Sequence, residues 1–280
     1  MKRAVVAVVP TYRPPAQVQD LVSGLARQGV PVLVVDDASP CTSDATLRQL
    51  ARLSGVEVRR NRRNAGIARS LNQALAVAHA REAGWLLTVD QDSRLADGYL
   101  EGLRAEVNDE RIGVIGAEVV ADASGDLRYP RWTSGSHLLT HEVFQTGSLW
   151  SVAALQRIGG FDERLGMDAV DAAACLHLRQ AGYLVCLAPG VSLQHRLGDA
   201  ERIRLLGRWV VVSHHGPSRR ASILRNRLRL APAEFMESPV HASRTIRRVT
   251  VQSILAVAVE DERLSKLRAM TWALLHPSKT

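Results

Sequence analysis

Cysteine is scarce. The 280 residues hold three, Cys41, Cys175 and Cys186, too few and too scattered for a disulfide framework or a zinc site. That composition fits a reducing compartment. No segment approaches the ~20 uninterrupted apolar residues needed to cross a bilayer. The apolar run Ala4–Val9 ends at Pro10, so no secretory signal is expected. There is no internal repeat and no low-complexity stretch. The first turn, Pro10-Thr11-Tyr12-Arg13-Pro14, contains no glycine, which removes a dinucleotide fingerprint and a P-loop, and with them dehydrogenase and ATPase classes. Few aromatics interleave the basic C-terminal third, Trp209 and Phe235 among them, and no recognised motif is present there. Nucleic-acid binding is therefore not expected.

What the chain does have is 46% hydrophobic and 23% charged residues, enough for one large domain or a domain with an appendage. Its net charge of +8 is unevenly placed. From Arg196 to Thr280 there are 16 Lys and Arg against 7 Asp and Glu, while the first 195 residues carry a net of −1. A near-neutral body with a basic tail fits an anionic surface or substrate; a solvated helical face in an arginine-rich protein fits equally.

Along the chain, Ala4–Val9 has the continuous apolar pattern of a strand buried on both faces. Gln17–Gln28 carries Val18, Leu21, Val22 and Leu25 at helical spacing and stops at Gly29. Strand patterns recur at Val32–Val35, Val56–Val58 and Trp85–Val89, with helical ones at Thr46–Leu53 and Asn72–Ala83. This alternation predicts an open, mostly parallel sheet with helices on both faces. Such sheets bind ligands at the carboxyl ends of their strands. Pro10-Thr11-Tyr12, Asp36-Asp37 and Asp90-Gln91-Asp92 all fall at those ends. Asp90 and Asp92, two apart, can share one side of the chain, and paired carboxylates call for a cation or hydrogen-bond donors between them. Mg²⁺-type ions take oxygen ligands and bridge carboxylates to phosphate.

Further on, Ile112–Val120 and Phe144–Trp150 have strand patterns, and Val152–Ile158 and Asp168–Gln180 helical ones. Tyr183–Ala188 and Val191–His195 are short strands around Pro189-Gly190, and the chain from Ile203 onward reads as helical, broken at Pro217, Pro232 and Pro239.

These stretches together resemble an inverting nucleotide-sugar glycosyltransferase of family two, and its rhamnosyltransferase branch in particular. The similarity rests on Val9-Pro10-Thr11-Tyr12-Arg13-Pro14, Val34-Val35-Asp36-Asp37-Ala38-Ser39, Asn64-Ala65-Gly66-Ile67-Ala68 with Asn72, and Leu87–Ser93. It continues through Gly147-Ser148-Leu149, Gly159–Glu163, Met167–Asp171, Cys175-Leu176, Gly182-Tyr183, His195-x-Leu197-Gly198 and Arg225-Asn226. The resemblance implies a GT-A type α/β fold, an open mixed sheet flanked by helices, with a helical basic C-terminal extension. On that basis residues 1–200 form the catalytic domain, with the nucleotide-sugar half at about 1–95 and the acceptor half at about 96–200; 201–280 form the extension.

The resemblance also implies roles. Pro10, Thr11 and Tyr12 would line the nucleotide, Tyr12 offering a flat face and Asp37 an acceptor for a base N–H, with Asp36 a weaker candidate. Asn64 and Gly66 would let their loop pass close to it. Asp92 and His195 would be metal ligands for Mg²⁺ or Mn²⁺, the imidazole suiting Mn²⁺ better, while Asp90 contacts the ribose or a metal-bound water. Asp171 aligns with the catalytic base, its alternative being a helix cap; Asp168 is the rival, on the same face if the helix already includes it. Arg219, Arg220 and Arg225 are candidates for the diphosphate.

The chain departs from the family at Ala173, where a second acid is usual, and at His177, where a cation is common. Those departures bear on the acceptor, and they leave room for a non-catalytic nucleotide- or glycan-binding relative. The donor is expected to be dTDP-rhamnose, with a UDP-hexose or UDP-galactofuranose as the alternative, and the acceptor a glycan or lipid-linked glycan. Ser243–Leu275 sets Ile246, Val249, Ile254, Leu255 and Val257 beside Arg244, Arg247 and Arg248. That segment suits peripheral contact with the inner face of the cell membrane by a cytoplasmic protein; a helical cap or a contact in a homo-oligomer is the other outcome.

Overall fold

The computed structural model describes residues 4–121, 125–195, 201–205 and 208–276; Leu197 and Gly198, from the motif that opens at His195, lie outside them, as do the first residues of the connection after Ala121. The chain divides into two compact units. The first comprises Met1–Ala121, Leu127–Gly166 and Val170–His195, and the second Asp122–Asp126, Met167–Ala169 and Arg196–Thr280.

In the first unit the elements run β1 (Val5–Thr11), α1 (Val18–Arg27), β2 (Val32–Asp36), α2 (Asp44–Leu50), β3 (Val56–Arg60), α3 (Ile67–Ala80) and β4 (Trp85–Thr88). They continue with α4 (Tyr99–Ala105), β5 (Ile112–Ala121), β6 (Leu127–Arg128), β7 (Arg131–Ser134), β8 (His137–Thr140), β9 (Ser148–Ser151), α5 (Val152–Arg157), α6 (Val170–Gln180) and β10 (Leu184–Gln194). β1, β2 and β4 are buried at every residue, as their unbroken apolar runs require. α1 buries Val18, Val22 and Leu25 along one stripe, each contributing roughly 1.5–3 kcal/mol of transfer free energy.

The sheet order is β3-β2-β1-β4-β9-β5-β10-β8-β7, with β6 on β5. β3, β2, β1 and β4 are parallel. β9 is antiparallel to both β4 and β5, and β10 is parallel to β5. The carboxyl ends of β1, β2, β4, β5 and β10 therefore share one edge of the sheet with the amino end of β9. This is the mixed, mostly parallel sheet expected.

Three stretches differ from expectation. The strand expected from Phe144 starts only at Ser148, because Gly147 turns the chain with φ 71° and gives its N–H to the Thr88 carbonyl at 2.7 Å. β10 is one continuous strand through Pro189-Gly190, with a register shift between Ala188 and Ser192. α6 begins at Val170, not at Asp168, because Ala169 sits at φ 65°.

The second unit is not wholly helical. It opens with an antiparallel hairpin, β11 (Glu201–Leu205) and β12 (Arg208–Val212), followed by α7 (Pro217–Glu237), α8 (Pro239–Ala258) and α9 (Arg263–Leu275). The period-two alternation Arg202-Ile203-Arg204-Leu205 and the β-branched run Val210–Val212 outweigh the basic composition. Pro217 and Pro239 start helices, where a missing N–H costs nothing. Pro232 lies inside α7 on its exposed side.

A buried ion cluster holds this unit. Glu260 takes Arg220 Nη2 at 2.5 Å, Lys266 Nζ at 2.8 Å and the Ser213 N–H at 3.2 Å. Burial would raise the Glu260 carboxyl, but the bonds from Lys266 and Arg220 hold it below the ordinary carboxylate value. Glu260, Arg220 and Lys266 are 1%, 4% and 2% exposed. Removing one partner of such a group strands the others in low dielectric. Glu260→Ala is expected to destabilise the protein by about 3–5 kcal/mol, read as a lowered urea midpoint; an unshifted midpoint would mean that both cations reach water.

Candidate active site

The shared sheet edge is built by carboxylates that tie neighbouring loops together. Asp36, fully buried at the end of β2, accepts the Ser39 N–H at 3.0 Å, the Ser39 hydroxyl at 2.5 Å and the Thr11 hydroxyl at 3.4 Å, and pairs with Arg60 Nε at 3.1 Å. Its role is to brace the β1 and β2 loops. Asp37 accepts Asn61 Nδ2 at 2.8 Å, the Ala65 N–H at 2.9 Å and the Gly66 N–H at 2.8 Å. A carboxylate has about four acceptor positions, so the 61–66 loop occupies most of what Asp37 offers.

Gly66 is fixed by packing. With φ 86° its missing Cβ faces the Gly166 backbone, where an added carbon would lie 2.7 Å from the carbonyl oxygen. Asn64 is exposed on the same loop. Tyr12 is exposed and carries the Arg13 guanidinium 5.3 Å from its ring centroid. Pro10 and Thr11 close β1 and are buried.

Gln91, between the two acids of β4's loop, clasps Tyr12 through two 3.1 Å bonds, accepting its N–H and donating to its carbonyl. The Arg13 N–H goes to Ser39 Oγ at 2.7 Å. The loops after β1, β2 and β4 are thus fastened to one another.

Asp90, Asp92 and His195 meet at the same edge, with one ligand atom from each inside a mutual distance of 4.8 Å. His195 Nε2 lies 3.8 Å from Asp90 Oδ2, and Nδ1 lies 3.5 Å from Asp92 Oδ1 and 3.0 Å from Ser93 Oγ. Residues a hundred apart meet because Arg94 and Gln194 exchange backbone hydrogen bonds, at 2.8 and 3.3 Å, just before His195. Two carboxylates and an imidazole form a donor set that fits Mg²⁺ or Mn²⁺, the nitrogen favouring Mn²⁺. Paired negative charge of this kind is favoured by a dication or by hydrogen-bond donors between the groups.

Sequence reasoning missed the supports of this cluster. Gln145 Nε2 donates to Asp90 Oδ1, Thr146 Oγ1 accepts the Asp90 N–H at 2.9 Å, and Thr146 and Ser93 hydroxyls meet at 2.7 Å. The available signal was the polar Gln145-Thr146 pair just before Gly147, at the amino end of an antiparallel strand.

Asp171 lies in the first turn of α6, half-buried, with Oδ1 accepting the Ala172 N–H at 2.8 Å. α6 packs on β10 and turns back into it over three residues, so the two run in opposite directions and the amino end of α6 points toward the carboxyl end of β10. Burial, and then the charges of Asp171 and Glu142, push the nearby Tyr129 phenol well above its ordinary value.

Asp168 is outside the helix, so the shared face that would make it a rival base is absent. Its carboxylate meets Arg219 Nε at 3.3 Å, and its carbonyl accepts Asn226 Nδ2 at 2.8 Å. Burial raises its carboxyl despite the opposing pull of Arg219. Arg220 departs from the diphosphate role, because its guanidinium is buried and taken by Glu260 and Ser213. Arg219 and Arg225 stand with it on α7.

The glycosyl transferase family 2 model matches residues 6–155, more than half the chain, and the chain belongs to that family. It is a glycosyltransferase. A dTDP-rhamnosyl transferase, RfbF of Shigella flexneri, is 25% identical over 98% of this chain and 95% of its own length. Among solved structures, the Pyrobaculum calidifontis mannosyltransferase PcManGT with GDP-Man and Mn²⁺ superposes with a TM-score of 0.58 at 18% identity, covering 100% of this chain and 82% of that one. GalNAc-T7 with UDP, GalNAc and Mn²⁺ gives 0.58 at 14% identity over 80% of this chain, which spans 47% of the GalNAc-T7 chain. The fold is GT-A.

Gly66→Ala is expected to cost about 1–3 kcal/mol through overpacking and left-handed strain and to loosen the 61–66 loop. Urea denaturation together with nucleotide titration would show it; unchanged stability would mean that the Gly166 backbone yields.

Proposed function

We propose that the enzyme moves L-rhamnose from dTDP-rhamnose, with inversion, to a hydroxyl of a glycan or lipid-linked glycan in cell-surface polysaccharide synthesis. The observation that carries this is the meeting of Asp90, Asp92 and His195 at the shared sheet edge; Asp171, in the first turn of α6, is the acid we assign as base. The dTDP-rhamnosyl transferase relative, similar along nearly the whole chain, favours the donor.

In this reading the nucleotide lies over the fastened loops. Tyr12 stands under the base, Asp37 uses its remaining acceptor position, and Pro10, Thr11, Asn64 and Gly66 shape the floor. Asp92 and His195, with Asp90 beside them, would hold Mg²⁺ or Mn²⁺, which supplies Lewis-acid neutralisation of the departing diphosphate. Asp171 takes the proton from the acceptor hydroxyl as its oxygen bonds to the anomeric carbon, and the bond from that carbon to the diphosphate breaks. Asp171 lies in the first turn of α6 and accepts the Ala172 N–H at 2.8 Å.

Two tests address this. Asp171→Asn is expected to lower transfer by about 10²–10⁴-fold while dTDP binding with Mn²⁺ stays at the wild-type level; undiminished transfer removes Asp171 as the base. A donor panel of dTDP-rhamnose, UDP-galactofuranose and UDP-hexoses should show turnover of the first, and turnover of a UDP-sugar alone would replace it. No transfer with any donor would favour a non-catalytic binding relative.

Among the described residues, no helix is long and apolar enough to cross a membrane. We place the enzyme in the cytoplasm, peripheral on the inner face of the cell membrane. Val251 and Ile254 on α8, and Leu264, Leu267 and Trp272 on α9, are exposed, with Arg244, Arg247 and Arg248 also exposed on α8. Pelleting with anionic but not neutral vesicles, lost when the three arginines become glutamates, is the expected result. Equal pelleting would reject it, and a dimer in sedimentation analysis would assign the face to self-association.

A further inference from the structure

We propose that Gln145 is a positioning residue that sets the Asp90 carboxylate for the metal, an inference that rests on the metal site proposed above. Gln145 is 7% exposed and lies in the turn before β9. Its Nε2 donates to Asp90 Oδ1, which fixes the orientation of the amide, since the reversed carboxamide would set oxygen against carboxylate. The consequence is an orphan. Gln145 Oε1 is buried and has no hydrogen-bond partner among the described residues.

A buried acceptor left unpaired costs about 1–3 kcal/mol, and methionine would fill similar space without it. The turn does not need the amide for its own shape. Its backbone is held by the Thr88 hydroxyl on the Gln145 carbonyl, by the Gly147 N–H on the Thr88 carbonyl at 2.7 Å and by the Tyr99 hydroxyl on the Gly147 carbonyl at 2.6 Å. The remaining task of the carboxamide is Asp90.

With Oδ1 occupied, Oδ2 is the oxygen that faces His195 Nε2, 3.8 Å away. The choice of a neutral donor matters. A lysine or arginine in this place would orient Asp90 as well, but it would cancel the charge that draws a dication. An amide fixes the torsion and leaves the cluster anionic. Thr146 completes the hold by accepting the Asp90 N–H at 2.9 Å, so side chain and backbone of Asp90 are gripped from consecutive residues.

The test is Mn²⁺ titration, by calorimetry and by the Mn²⁺ electron paramagnetic resonance signal, of the full-length metal-free protein with dTDP present. The proteins compared are wild type, Gln145→Met, Asp90→Ala and the double variant. Gln145→Met is expected to bind Mn²⁺ about 10–100-fold more weakly. The double variant should bind no more weakly than Asp90→Ala, because the amide acts only through that carboxylate. Gln145→Asn keeps a polar group but falls one methylene short of Asp90, and should show the same loss if Gln145→Met does not fold. Wild-type affinity in either single variant, or losses that add in the double variant, would overturn the assignment. Absence of Mn²⁺ binding by wild type itself would overturn the metal site, and the role of Gln145 with it.

Discussion

Carboxylates taken out of water at the ends of parallel strands must be answered by donors, and this requirement shapes the whole sheet edge. Leaving such a charge unmatched costs several kcal/mol, so each acid recruits whatever passes nearby. Asp36 gathers Thr11, Ser39 and Arg60; Asp37 gathers the 61–66 loop; Asp90 gathers Gln145 and Thr146. The fastened set of loops at this edge is the by-product of these separate acts of neutralisation. Asp92, nearly half exposed, is the acid least enclosed by the protein. Acids that look equivalent along the chain thus divide into those that build the site and those left open to a ligand.

A similar division separates Asp168 from Asp171. Three residues apart, they would stack on one helical face if the helix were continuous. One left-handed residue, Ala169 at φ 65°, prevents it. Asp171 begins a helix and keeps the electrostatic benefit of its amino end, while Asp168 stays with Arg219 and Asn226. A single backbone torsion separates the acid inside the helix from the one paired with Arg219.

The strands and helices from Val5 to Thr88 were legible because each buries a face, and burial imposes a period on the residues. Asp90 and Asp92 were legible as candidates because strand ends are where such sheets place ligands. The antiparallel insertion of β9 between β4 and β5 was not, since the short run Ser148-Leu149-Trp150-Ser151 carries no mark of its direction. Nor could residue type reveal that Asp36 points inward or that Arg220 is consumed by Glu260; both facts depend on partners distant in sequence. The hairpin β11–β12 was hidden by arginines that suggested a basic helix. Gln145 was invisible for a related reason: its importance comes from a neighbour 55 positions away.

The bridge from Arg94 to Gln194 carries a consequence for how the molecule is assembled. The pairings among β1, β2, β3 and β4 are all available once the chain has been made as far as residue 88. The cluster at Asp90 and Asp92 must wait another hundred residues for His195. Contacts of such sequence separation form late, because loop closure is an entropic cost that precedes any reward. During synthesis the loops after β1 and β2 can therefore close while the Asp90, Asp92 and His195 cluster is still incomplete. The cluster is completed as one of the last events of folding, after the scaffold that holds it.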